Sequence, residues 1–394
     1  MQFLRRLRIL LLLAVRTARR RMISALVTVL SISLMTVMLT SFLSMANGLE
    51  TVLEASGAED VAIIARSISG PEMGSSISLE QQRLIASAPG VRVTATGRGD
   101  SSPELYVVVD GTRKSDGRVF NLALRGLNRS GMDMRKDVRL VRGRYVGTGT
   151  NEIMVGESAA SRFRDYDFGD SVRLGRETWQ VVGIFSTNGS VAEDEIWADL
   201  PVVQARFDQG AVVQTVRVRL EEPSSESLSA LSDYLSNDPR LQLEVASEKR
   251  FYAEQIQDLG VLLFFAWAIT ILLSLGVIAG TTNAMIYSIG SRSRELATLR
   301  ALGFQGSTVY LATIIEAVVL AALGLLVGIF IYLIFLEGRA LSTIGANFTQ
   351  IGFRFSVSIT TLASVSCLAL IVGVLGATIP GAKAASSGYS GKLS

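Results

Sequence analysis

Histidine is absent from these 394 residues, and there is one cysteine. The first absence removes Ser-His-Asp and Cys-His catalysis and every His-ligated metal site. The second leaves no partner for an intramolecular disulfide and excludes a Cys-rich zinc site. Cys367 lies in an apolar stretch and reads as a small buried hydrophobe. A phosphate-cradling loop is also missing. It requires Gly-x-x-x-x-Gly-Lys-Ser/Thr between a strand and a helix. The nearest approach, Gly391-Lys392, has Ser386 in place of the first glycine. Nor does the N-terminus read as a signal peptide. The apolar run Ile9–Val15 is short, and Thr-Ala-Arg-Arg-Arg follows it without a small-residue cleavage site. No internal repeat is evident.

What is abundant is apolar sequence. The hydrophobic fraction is 49%, too high for one soluble domain and too low for a chain wholly within a bilayer. Four stretches reach the roughly 20 residues that a helix needs to cross the hydrocarbon: 22–46, 259–289, 308–336 and 356–380, the last ending at Pro380. About 210 polar residues separate the first two, enough for a folded domain. The net charge of +3 conceals an asymmetry. Arg5, Arg6, Arg8, Arg16, Arg19, Arg20 and Arg21 precede the first span with no acid among them. Residues 46–258 carry 24 Lys and Arg against 32 Asp and Glu, a balance of −8. Basic residues hug membrane ends, so the positive-inside rule places both termini and the loop 290–307 in the cytoplasm and the large domain outside. The same distribution argues against nucleic-acid binding. Residues 1–21, with Leu and Ile on one side and Arg on the other, read as an interfacial helix on the cytoplasmic face.

The fold class predicted is a membrane protein of four transmembrane α-helices, with a mixed α/β domain at 47–258 between the first and second spans. In that domain Val61–Ala65, Leu105–Val109, Leu122–Leu124, Thr215–Leu220 and Leu241–Val245 read as strands, and Ser171–Phe185 as strand-rich. Ser78–Ser87, with Ser78 as a cap and Pro89-Gly90 as the stop, and Ser224–Leu235 read as helices. The ends of the domain then form a βαβ-type portion, with a β-rich insert over about 125–214. Residues 337–355 read as a short outer loop, and 381–394 as a cytoplasmic tail. Glu193, Asp194 and Glu195 are adjacent acids expected to be solvated, not catalytic. Thr281, Thr282 and Asn283, near the end of the second span, either bond across helices or satisfy one another. Glu316 lies early in the third span, where a charge costs about 2.5–3.5 kcal/mol on insertion scales. It is expected to meet a donor such as Thr281, Thr282 or Asn283 and to fix helix packing, with a transport or proton role as the alternative.

The segment 291–303, SRSRELATLRALG, stands between two spans. Leu296, Leu299 and Leu302 recur every three residues and give one apolar face. Arg292, Arg294, Glu295 and Arg300 surround it, Ala301 follows, and Gly303 is a natural helix stop. With the following FQGSTVYLATIIEAVVLAALGLLVGI it resembles the signature of MacB/FtsX-type ABC transporter permeases, R-x-R-E-[IL]-x-x-L-[RK]-A-[LI]-G before a span with an early glutamate. The lead-in RTARRRMISALVTVLSISL is similar to the family's N-terminus. LVRGRY, NEIMVGESAASRF, FGDSVRLGRETWQVVGIF and IWADLPVVQARF resemble the family's MacB-like periplasmic core domain. GVLGATIPGAKAASSG resembles its closing motif.

The resemblance implies a non-enzymatic permease subunit in a bacterial inner membrane. Arg292, Arg294, Glu295, Leu296, Leu299, Arg300, Ala301, Leu302 and Gly303 would then couple it to a cytosolic ABC ATPase dimer. ATP and Mg would be bound by that partner and no cofactor by this chain. Because no ATPase domain precedes the first span, the ATPase is expected on a separate chain. A second permease copy or paralogue, the lipid bilayer, and a periplasmic adaptor with an outer-membrane channel are the further partners implied. Export or extrusion is the leading function. A lipoprotein-releasing permease and an FtsX-like transducer that regulates cell-wall hydrolases are the alternatives.

Overall fold

The computed structural model describes residues 22–135, 137–255, 258–291, 298, 305–344 and 350–386. The interfacial segment 1–21 lies outside them, as do Arg292, Arg294, Glu295, Leu296, Leu299, Arg300, Ala301, Leu302 and Gly303. The chain divides into two compact units. One comprises Met1–Asn47, Gly260–Arg339 and Phe355–Ser394; the other comprises Gly48–Leu259 and Ala340–Arg354.

Helix α1 spans Met22–Ala55. At 1.5 Å per residue it is about 50 Å long, against roughly 30 Å of hydrocarbon. It runs on past the expected limit at Ala46 because Leu49 and Val52 keep an apolar, buried spacing among the polar residues. Strand β1 (Val61–Ala65) follows, then a 3-10 turn at Glu72–Gly74. Helix α2 (Leu79–Ala86) begins at a capping box. Ser78 Oγ accepts from Gln81 N–H, and the Gln81 side chain accepts from Ser78 N–H. Next come β2 (Ser101–Thr112), β3 (Val119–Leu127), α3 (Arg129–Met134), β4 (Arg139–Gly143), β5 (Glu152–Gly156) and α4 (Glu157–Arg162). The hairpin β6 (Ser171–Leu174) and β7 (Glu177–Ser186) leads through a 3-10 turn at Val191–Asp194 to β8 (Glu195–Asp199). The domain continues with α5 (Leu200–Arg206), β9 (Thr215–Arg219), α6 (Ser225–Asn237), β10 (Glu244–Ser247) and α7 (Glu248–Gln255).

These strands form one ladder in the order β10-β1-β9-β2-β3-β8-β5-β7-β4, with β6 on β7. β9 and β10 both run antiparallel to β1, which lies between them, and α6 links them. β2 joins the two halves of the sheet. Ser101–Glu104 pair with β9, and Leu105–Thr112 pair with β3. β10 starts three residues later than predicted. Leu241 N–H bonds back to Asp238 O, and Gln242 takes φ +48, so this stretch cannot extend. Leu241 and Leu243 are apolar because they fill the core from a turn. One face of the sheet carries Ile64, Leu105, Leu124, Ile196, Val216 and Val218 against α2, α4, α5 and α6. Residues 337–355, expected as a loop, contain the hairpin β11 (Ala340–Ile344) and β12 (Gln350–Arg354).

Helices α8 (Asp258–Ser291), α9 (Gly306–Phe335) and α10 (Ile359–Ser386) complete the fold. With α1 they give four helices long and apolar enough to cross a membrane, among the described residues. Their shared core includes Ile32, Leu39, Val277, Leu325, Val365 and Val372. Glycines set the spacing. A Cβ at Gly328 would fall 2.6 Å from Thr36 Cβ, and one at Gly373 would fall 2.6 Å from Ala321 Cβ. Cys367 is exposed, not buried: it lies on an outward side of α10. α10 also runs through Pro380, which was expected to end it. Proline removes the N–H that would bond to Gly376 O, four residues back. Thr282 Oγ1 of α8 donates to that carbonyl instead, at 2.9 Å, so the helix continues at little cost.

Candidate functional site

Strand alternation turns Glu104, Arg125, Glu195 and Arg217 to the sheet face opposite the apolar core. Ladder register makes them neighbours: Glu104 lies across from Thr215, and Arg125 from both Tyr106 and Trp197. The chain then covers them with further charges, Glu72 from a 3-10 turn, Arg135 from the end of α3 and Glu248 from the start of α7. All seven side chains are at most 4% exposed.

Arg125 is the hub. Its guanidinium meets Glu72 at 2.6 Å, Glu195 at 2.8 Å and Glu104 at 3.1 Å. Arg135 grips Glu104 through both oxygens at 2.9 Å. Arg217 donates to Glu104 at 3.1 Å and to Tyr252 Oη at 2.9 Å, and contacts Glu248. Thr215 Oγ1 donates to Glu72, and Trp197 Nε1 to Glu195. Burial alone would raise the Glu104 carboxyl. The Arg135, Arg217 and Arg125 guanidiniums outweigh it and hold Glu104 at about 2. Glu195 is depressed in the same way: burial opposes, and Arg125 and Arg135 prevail. Held ionised by these cations, Glu104 and Glu195 are not poised as general acids at neutral pH.

The sign of the pH dependence follows. The unfolded chain takes up the Glu104 proton near its ordinary value of 4.5, the folded one only at about 2. That stabilisation is complete above about pH 5 and is lost as pH falls toward 2. Unfolding midpoints of the full chain in detergent, followed through Trp179 and Trp197, are therefore expected to drop progressively below pH 5. A midpoint flat down to pH 3 would contradict the assignment.

Glu193, Asp194 and Glu195 are not solvated together as expected. Glu193 Oε1 accepts from Ser186 Oγ, Thr187 N–H and Gly189 N–H. Asp194 is buried and takes Arg162 and the Gly352 N–H of β12; burial pushes its carboxyl up. Glu195 belongs to the buried network. The signal for that network is charges inside apolar strands, ELYVVV, LALRGL and TVRVRL. Alternation in VRVRL predicts solvent-facing arginines, yet Arg217 is 1% exposed.

In the helical unit, Glu316 of α9 lines a small cavity with Ser24 and Thr28 of α1 and Ser288 of α8. Thr281 is buried beside Gly376, Thr282 donates to the Gly376 carbonyl, and Asn283 is exposed. No group of three or more metal-binding side chains occurs among the described residues.

This fold defines a multi-pass membrane protein with an α/β domain inserted between its first and second spans. Residues 25–233 match the family model of the MacB-like periplasmic core domain, and residues 267–388 match that of the FtsX-like permease C-terminal domain. The chain belongs to the MacB/FtsX family of ABC transporter permeases, a non-enzymatic kind of subunit. Among solved structures, it is similar to the periplasmic region of MacB from Actinobacillus actinomycetemcomitans. Identity there is 13%, coverage 53% of this chain and 98% of that one, and TM-score 0.37. It is also similar to the extracellular domain of the noncanonic ABC-type transporter YknZ from Gram-positive bacteria. Identity there is 14%, coverage 48% and 100%, and TM-score 0.34. No curated protein matches.

Proposed function

We propose that this chain is the membrane subunit of an exporter, driven by a separate ABC ATPase that binds ATP and Mg. The segment 290–307 docks on the ATPase in the cytoplasm, and its movement passes along the spans to the inserted domain in the periplasm. The carrying observation is the segment itself: an apolar face of Leu296, Leu299 and Leu302 with a basic rim, inside the stretch matched by the permease family model. These 394 residues contain no phosphate-cradling loop. The arginines at the span ends support an inner-membrane orientation with both termini inside. A periplasmic adaptor and an outer-membrane channel complete the proposed path.

A second copy or a paralogue is part of this reading. On α8 a Cβ at Gly276 or Gly280 would meet nothing, and exposed Asn283 lies on the same helical face. Small residues with an amide one turn on suit close helix pairing in lipid. Gly280→Leu and Asn283→Leu are each expected to weaken pairing by about 3–30-fold, from roughly 0.6–2 kcal/mol of lost interaction. Cross-linking yield in lipid nanodiscs reads this out, and undiminished yield in both variants would exclude this face.

The reading as a whole is tested by co-expressing the chain with candidate ABC ATPases and purifying the assembly. A retained ATPase, together with labelling of Ser225→Cys by an impermeant thiol reagent on intact cells and of Thr298→Cys only after permeabilisation, is the expected result. The reverse labelling pattern would overturn the orientation.

A further inference from the structure

The inserted domain joins the helical unit in sequence at two principal points, the end of α1 and the start of the segment α7 to α8. Both meet the buried ionic network. Glu248, the first residue of α7, is 3% exposed. Its carboxylate contacts the Arg217 guanidinium and accepts the Ala58 N–H, just past α1, at 2.9 Å. One turn on, Tyr252 Oη accepts from Arg217 Nη2 at 2.9 Å. Glu248 and Tyr252 are four residues apart and share a helical face, so one arginine pins the first turn of α7 twice. The backbones touch as well: a Cβ at Gly57 would fall 2.7 Å from Lys249 Cγ and 3.0 Å from Lys249 N. The Lys249–Glu59 pair at 2.8 Å is exposed and adds little.

A buried ion pair is a poor way to gain stability, since apolar residues of similar volume commonly do as well or better. What the pair supplies is one defined geometry. We propose that Arg217 and Glu248 are positioning residues that lock the start of α7 to the end of α1, so that both connections of the inserted domain move as one body. With the lock in place, displacement arriving along either segment reaches β9 and Glu104 at the centre of the sheet. Without it, α7 swings independently and the displacement is absorbed locally. The proposal rests on the reading that motion passes through these connections.

The test uses the full chain in lipid nanodiscs, with Cys367→Ser and spin labels at Glu54→Cys and Ala253→Cys. A single narrow distance distribution is expected. Arg217→Met combined with Glu248→Leu removes one charge of each sign and fills the space with apolar groups. It is expected to lower the unfolding midpoint, since Glu104 loses one of its cations and the Ala58 N–H its acceptor, and, in the folded variant, to broaden the distribution at least twofold. Tyr252→Phe, which deletes one hydroxyl and is expected to fold, should broaden it in the same sense. Unchanged width in Tyr252→Phe and in the folded double variant would overturn the lock. This readout needs no ATPase, so it fails only with the lock. In the assembled complex the double variant is expected to hydrolyse ATP as before, with the nucleotide-driven movement of the inserted domain cut at least threefold. A merely structural role would lower both together. Absence of any nucleotide-driven movement in the unaltered chain would count against the functional reading and not against the lock.

Discussion

Replacing Arg125 by alanine is expected to destabilise the inserted domain by about 3–5 kcal/mol, the usual result of removing one partner from a buried ionic cluster. Glu72, Glu104 and Glu195 all lose their shared cation, and each is nearly inaccessible to water. A domain stability of about 5–15 kcal/mol leaves little margin after such a loss. Arg125→Lys keeps the charge but not the planar fork that reaches three carboxylates, so an intermediate loss is expected. Arg129→Ala breaks the exposed pair with Asp133 and should change stability by less than about 1 kcal/mol. Urea unfolding of the three full-length variants, read by tryptophan fluorescence, separates these outcomes. An Arg125→Ala chain as stable as Arg129→Ala would show that the network carries no net charge pairing.

Leu299→Asp is expected to abolish coupling to the ATPase while leaving the chain folded. Burying a leucine in a partner's cleft is worth about 1.5–3 kcal/mol, or roughly 10–150-fold in affinity. An aspartate there adds the cost of desolvating a charge. Arg300→Glu reverses the rim and should weaken docking in the same direction. Co-purified ATPase and ATP turnover in the assembly measure the effect. Full retention of both would place the docking surface elsewhere on the chain.

Elements with strong local chemistry were legible in sequence. The Ser78/Gln81 capping box delimits α2, Ser224 caps α6, and the apolar stretches correspond to the four long helices. Failures came where a residue's partner is distant in sequence. Arg217 sits 113 residues from Glu104, so TVRVRL looks half solvated while its arginine is buried. Pro380 looks like a terminator because the hydroxyl that rescues Gly376 O belongs to Thr282, 94 residues away. Hairpin β11–β12 was hidden because the chain between two spans can be short and unstructured, and nothing local signals that Asp194 will accept from Gly352 N–H. The family motif made 291–303 conspicuous, whereas no single strand shows which of its charges will pair across the sheet.

ATP-driven motion is proposed to reach the inserted domain through this chain. It is tested most directly by labelling Ser225→Cys in both copies of the assembled complex and measuring the label-to-label distance with and without bound nucleotide. Two resolved distributions are expected, one for each state, merging into one when Leu299→Asp is introduced. A single distribution in the unaltered complex while ATP is being hydrolysed would contradict it.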